Sequence, residues 1–455
     1  MIMRHLEHNM GRGIRLGAGA GALLAIAMGV VAGAAEAAPR ALNIDDAVAL
    51  ALSTNPHLAA ARERAHAGEE GITSADRRML PSIHVSEELQ YYNAPFAISF
   101  AIPGVMAGPP FTVRDQTTNT FVASADQPVL SLLRANHERE TLVEQSAADR
   151  AQIAAAEADV RQNVETQFLR IFEAQALEQI AASSVRELSD QVTVAKARLA
   201  SGVITQADLL RIEVAVANAQ QQGLEAHSQG QIARAQLFAA IGLPPADAAE
   251  MTLVEPSERL NGARARAAAP SLTSLLPQTQ ARRPELAQQL HLVAAADRQA
   301  SARAYALLPD VDLEAAYLRI DGQPFSPKNS AYVGVKAQWA IWEWGAALHQ
   351  RSAAEALADA ARRDRDMLER QIEAELAASL AQGDAARGAV DSAGKAVASA
   401  EEAYRVTDAA LKAGAATTTD LLESQAALTQ ARLNLTRAQY ELVLSEVALT
   451  HATGG

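Results

Sequence analysis

The sequence contains no cysteine, and only 4% of its 455 residues are aromatic. Without cysteine there is no disulfide framework, thiolate zinc site, iron–sulfur cluster or cysteine nucleophile. Attachment of lipid through an N-terminal cysteine is excluded too. An excess of positive charge is also missing: 53 acidic residues against 40 Lys and Arg leave a formal charge of -13. That sign opposes general binding to nucleic acid, which depends on cations displacing counterions from phosphates. The ten histidines lack the i, i+4 pairing of a metal site, and neither a nucleophile elbow nor a phosphate-binding loop is present. These absences argue against an enzyme and require no cofactor or metal.

Proline is missing from two long tracts, 129–243 and 328–455. Because proline in a helix interior costs about 3 kcal/mol, tracts free of it and rich in Ala, Leu, Glu, Gln and Arg predict long helices. Most aromatic residues, including all three tryptophans, fall instead within 91–121 and 305–344. The chain therefore alternates long helices with short, aromatic-rich, proline-bounded segments. At the N-terminus, Arg4, Arg12 and Arg15 precede the uncharged stretch Gly17–Ala35 and the triplet Ala35-Glu36-Ala37. This layout predicts a secretory signal over residues 1–37, cleaved before Ala38. The alternative, an uncleaved anchor, is disfavoured by the richness of the stretch in Gly and Ala.

The short segments read as strands. Ala331, Val333, Val335, Ala337, Trp339 and Ile341 alternate with Tyr332, Gly334, Lys336, Gln338 and Ala340, which predicts a strand over 331–341. Val311, Leu313, Ala315 and Tyr317 alternate with Asp312, Glu314, Ala316 and Leu318, so the two strands make a hairpin at about 309–342. An earlier hairpin at about 81–127 places Ile83, Val85, Leu89 and Tyr91 on one face, with its second strand within about Val113–Gln127. Its connection, Asn93–Pro110, is long and apolar. Phe96, Phe100 and Met106 there predict a loop folded on itself, the alternative being an interaction patch.

One unit occurs twice. Asn55-Pro56-His57-Leu58 matches Arg283-Pro284-Glu285-Leu286 at an offset of 228, and Met79-Leu80-Pro81 matches Leu307-Leu308-Pro309 at the same offset. Leu199-Ala-Ser-Gly202 with Asp208-Leu-Leu210 then matches Leu411-Lys-Ala-Gly414 with Asp420-Leu-Leu422 at 212. The repeats are 38–270 and 271–455. Each runs helix, hairpin, very long helix, glycine turn near 202 or 414, and helix. Within the helices, Val185, Leu188, Val192, Ala195 and Leu199 are spaced three and four apart. Ala393, Val397, Ala400, Tyr404, Thr407 and Leu411 follow the same rule, as do Leu421, Ser424, Leu428, Ala431, Leu435, Ala438 and Leu442. Such seams predict coiled-coil packing. Four strands cannot sit in lipid with open edges, so closure requires further copies. Three copies supply twelve strands, an even number suited to a barrel with a lumen.

Leu42–Leu52 followed by Asn55-Pro56, the Leu-Pro pairs 80–81 and 308–309, Arg283-Pro284-Glu285-Leu286, and the glycine turns before each Asp-Leu-Leu together resemble the TolC-type outer-membrane efflux protein family. The resemblance covers nearly the whole mature chain. It implies a mixed membrane α+β fold, a trimeric 12-stranded outer-membrane β-barrel with four strands per chain, continued by a long periplasmic α-helical coiled-coil barrel. The implied role is the exit duct of a tripartite efflux pump or type I secretion system. Its partners would be a periplasmic adaptor protein, an inner-membrane transporter and outer-membrane lipid. The alternative is a periplasmic coiled-coil structural or adaptor protein without channel activity, which leaves the alternating strands unexplained.

By the same resemblance the turns at Gly202-Val203 and Gly414-Ala415 form the periplasmic tip where an adaptor docks. Asp420, Glu423 and Asp208 are similar to the acidic ring of the family's gate, the alternative being helix capping with Thr205 and Thr417. The family often has a basic partner just after the second glycine; here Ala415 and Ala416 stand instead. On the strands, Asp312, Glu314, Lys336 and Gln338 are expected to face water, while Val333, Val335 and Ile341 face lipid, and Trp339, Trp342 and Trp344 form an interfacial girdle.

Overall fold

The computed structural model describes residues 40–99, 109–244, 251–265 and 271–455. The expected signal segment 1–37 lies outside them, as do Phe100 and Met106. The described chain begins with β1 (Arg40–Leu42), α1 (Ile44–Thr54), α2 (Pro56–Arg78), β2 (Ser82–Tyr91), β3 (Phe96–Ile98) and β4 (Phe111–Arg114). There follow β5 (Thr117–Pro128), α3 (Leu132–Ala200), α4 (Gln206–Ile241), β6 (Met251–Leu253), α5 (Ser257–Ala265) and α6 (Leu272–Arg282). It continues with α7 (Pro284–Tyr305), β7 (Asp310–Asp321), β8 (Asn329–Gln338), α8 (Ala346–Lys412) and α9 (Thr418–Ala452).

The proline-free tracts form two unbroken helices of 69 and 67 residues, α3 and α8. At 1.5 Å per residue each reaches about 100 Å. Against each lies a rod made of two helices set end to end. Thr54, the last residue of α1, and Asn55, between α1 and α2, donate to the last carbonyls of α4: Thr54 Oγ1 to Ile241 O at 2.6 Å and Asn55 Nδ2 to Ala240 O at 2.6 Å. Asn55 Oδ1 also accepts from the His57 and Leu58 amides, so one side chain caps the end of α4 and the start of α2. Gly242 closes this joint in the left-handed region at φ 83, where an added Cβ would lie 2.8 Å from Pro56 Cδ and Thr54 O.

The second joint uses a different side chain. Arg283, only 6% exposed, donates to His451 O at 3.1 Å and Ala452 O at 3.3 Å at the end of α9, and pairs with Glu375 on α8 at 2.9 Å and Glu285 at 3.0 Å. The Asn-Pro and Arg-Pro pairs that mark the repeats are thus the couplings between rods. Pro56 and Pro284 stand at the first turn of α2 and α7, where a missing N–H costs nothing.

The core is concentrated at mid-length, beside the joints. Val164, Phe168 and Leu169 of α3 are fully buried against Leu58, Leu237 and Ile241, with Tyr440, Val443 and Val447 of α9 completing the cluster. Toward the glycine turns the packing thins to seams. Leu188 and Ala195, then Leu421, Leu428, Ala431, Ala438 and Leu442, are buried at the predicted spacing.

At the opposite end a four-stranded antiparallel sheet runs β2-β5-β7-β8. Two expectations are corrected here. The last strand stops at Gln338 rather than reaching Ile341, because its partner β7 starts at Asp310, directly after Pro309, and Asp310 already pairs with Gln338. The second strand of the first hairpin divides into β4 and β5. Short β4 pairs with β3, Ile98 opposite Phe111, so the described part of the long apolar connection folds back on itself.

Candidate functional site

At the tips, each long helix ends on a glycine in the left-handed conformation, Gly202 and Gly414, both at φ 76. Open space surrounds both positions, so the backbone, not crowding, requires glycine. Val203 N donates to Arg198 O at 2.9 Å and Ala415 N to Ala410 O at 2.8 Å, which satisfies carbonyls left over at each helix end. The returning helices start with matching capping boxes. Thr205 N donates to Asp208 Oδ2 at 3.0 Å and Asp208 N to Thr205 Oγ1 at 3.2 Å; for Thr417 and Asp420 the distances are 2.8 and 3.2 Å.

Asp208 and Asp420 therefore serve as caps, Asp420 exposed and Asp208 half-buried. The Thr205 hydroxyl and amide hold the Asp208 carboxyl below its ordinary range, with Arg211 adding to the effect. For Asp420 the Thr417 amide acts first and its hydroxyl second. Glu423 is exposed one turn beyond Asp420. The positions after Gly414 carry no cation, yet the tips are linked: Arg211 on α4 donates to Thr419 Oγ1 at the start of α9 at 3.1 Å and lies 3.5 Å from Asp208. This link escaped the sequence argument because its cation stands in the first repeat, nine residues past Gly202, not beside Gly414.

At the sheet end the register sorts side chains onto two faces. On one lie Ile83 and Val85 of β2, Ala123 and Ala125 of β5, Leu313, Ala315 and Tyr317 of β7, and Val333 and Val335 of β8. Val333 is 82% exposed and Ile83 78%, so this apolar face is uncovered within one chain. The other face carries Asp310, Asp312, Glu314, Asp126 and Lys336. Asp312 stands opposite Lys336, Asp310 opposite Gln338, and Glu314 beside Asp126. Tyr332 OH donates to Glu314 Oε1 at 2.7 Å. The four predicted water-facing residues thus share one face.

Below the sheet, Trp339 Nε1 donates to Leu307 O at 3.2 Å, and Trp342 and Trp344 meet edge to face at 5.7 Å. All three lie outside the strand, in the connection to α8. Trp344 is 86% exposed and holds φ 55, a left-handed conformation that costs a non-glycine residue about 1 kcal/mol. The connection to α8 thus combines a strained backbone with an exposed aromatic ring at one residue. Among the described residues no helix is long and apolar enough to cross a membrane, and no cluster has the makeup of a metal site.

A four-stranded sheet uncovered on its apolar face, set on paired rods about 100 Å long, is the protomer fold of outer-membrane channels. VceC from Vibrio cholerae matches over 90% of this chain and 96% of its own, with a TM-score of 0.76 and 17% identity. The CmeC outer membrane channel of Campylobacter jejuni matches over 90% of this chain and 85% of its own, with a TM-score of 0.75 and 15% identity. A sequence profile described as Outer membrane efflux protein covers residues 47–243 and 275–455, and the chain belongs to that family. The outer membrane efflux protein BepC of Brucella suis biovar 1 is 27% identical over 289 residues, 61% of this chain. The match spans 60% of BepC. Membership places the chain in the outer membrane, in a family of efflux proteins that are transport ducts and not enzymes.

Proposed function

We propose that three copies close their sheets into a 12-stranded barrel continued by a periplasmic helical barrel, the exit duct of a tripartite efflux pump or type I secretion system. The observation that carries this reading is the two-faced sheet whose outer edges, on β2 and β8, have no strand partner among the described residues. An edge left open in lipid leaves backbone groups unsatisfied, and pairing β8 of one copy with β2 of the next removes every edge. The apolar face then meets lipid, with Trp339, Trp342 and Trp344 at the interface, and Asp312, Glu314, Lys336 and Gln338 line the lumen. Residues 1–37 serve as the signal, and 38–270 and 271–455 act as tandem repeats.

The tips close the periplasmic end. Asp420, Glu423 and Asp208 narrow the entrance, and Gly202, Val203, Gly414 and Ala415 offer the docking turns for a periplasmic adaptor, which connects to an inner-membrane transporter. Three copies of each carboxylate around one axis favour cations. Conductance of the protein in lipid bilayers tests the reading: cation-selective current is expected, raised by Asp420→Ala with Glu423→Ala. Anion selectivity would remove the acidic lumen, and recovery as a soluble periplasmic monomer would favour the non-channel coiled-coil alternative.

A further inference from the structure

Just above the tips all four rods enclose a cleft of about 360 Å³, within the size range of small-molecule sites. Its floor is apolar, with Ala195 of α3, Ile212 of α4 and Leu421 of α9. Tyr404 of α8 forms one wall, half-buried beside Glu187 and Asp408; the loss of water, and after it the charges of those two carboxylates, push its phenol above the usual range. Behind it the fully buried Gln425 accepts from Gln191 at 2.6 Å and donates to Glu187 at 3.3 Å. That polar contact fixes the Glu187 carboxylate at the rim.

Charge in the cleft is unevenly matched. Asp408 is neutralised by Lys412 at 2.6 Å. Glu187 forms no ion pair, and Asp190 neither an ion pair nor a hydrogen bond, among the described residues. The one remaining cation of the lining, Arg198, lies eight residues beyond Asp190 along α3, about 12 Å further toward the tip. One end of the cleft therefore presents an aromatic face and two carboxylates without countercharge above an apolar floor. Carboxylate and aromatic face both favour a cation, and the floor favours a flat hydrocarbon body.

We propose that this cleft binds a planar aromatic organic cation, its charge held by Glu187, Asp190 and the face of Tyr404. Because the walls come from both helical hairpins, an occupant ties the two together directly above the turns. Binding does not depend on conduction, so it and the duct reading fail separately.

The test is titration of ethidium, an aromatic monocation, against the full-length protein in nonionic detergent, with uncharged phenanthridine as competitor. Saturable fluorescence enhancement is expected, weakened roughly tenfold or more by Glu187→Gln with Asp190→Asn and by Tyr404→Leu. Lys412→Gln frees Asp408 and is expected to tighten binding, a gain that misfolding does not produce. The site is overturned by equal affinity in the Glu187/Asp190 double variant, by displacement with phenanthridine, or by weaker binding to Lys412→Gln.

Discussion

Arg211 is the side chain whose removal separates the two tips with least disturbance elsewhere, since it is exposed and bonds across only to Thr419. A link of this kind at about 1 kcal/mol changes an open-to-closed ratio about fivefold. Arg211→Ala is therefore expected to raise the resting conductance by a few fold in planar bilayers. An unchanged current would reduce the contact to a surface pairing. The capping boxes give a pH dependence of definite sign. Asp208 and Asp420 are held below their ordinary range when folded. Their contribution is thus present above the unfolded value of about 4 and lost as pH falls through the lower folded value. Amide exchange at Thr205 and Thr417, corrected for intrinsic rate, is expected to stay slow from pH 7 down to about 4 and to quicken only beneath it. Loss of protection between pH 5 and 7 would assign the tips to another titrating group.

Among the elements, the joints at Asn55 and Arg283 concentrate the most consequence in the fewest atoms. Asn55→Ala leaves Ala240 O and two helix amides without partners and is expected to destabilise by about 2 kcal/mol. Arg283→Ala leaves the paired Glu375 and two carbonyls at a site 6% exposed, and the expected loss is larger, about 3 to 5 kcal/mol. Thermal unfolding of the two variants ranks them, and the opposite order would refute the roles assigned. These joints show how far sequence reached. Asn55-Pro56 and Arg283-Pro284 were visible as repeat markers because proline and spacing are local signals. Their function was hidden, since each caps a helix about 170 to 185 residues away in the chain. The glycine turns and seam residues were legible for the same local reason. The end of β8 at Gln338 was not, because alternation continues to Ile341 and only the start of the partner strand stops the ladder.

At the scale of the molecule, the sheet has one apolar and one charged face, so under the proposed barrel a lysine is expected to have opposite effects on the two. Val333→Lys places charge on the uncovered apolar face and is expected to cost about 2 to 4 kcal/mol of membrane stability, reducing insertion into vesicles. Glu314→Lys faces the other way; insertion is expected to persist while cation preference falls. Equal insertion of both variants would dissolve the distinction between the faces. The rods add a property of their own. Two of the four, α3 and α8, run unbroken from sheet to tip, whereas their neighbours are interrupted at mid-length by Asn55 and Arg283. A continuous rod transmits twist; a rod cut and re-seated on a few hydrogen bonds lets its halves turn against each other. The joints have the build of slip couplings: a twist applied at the tips would be taken up at mid-length along α4 and α9, leaving α3 and α8 as the continuous connections to the sheet.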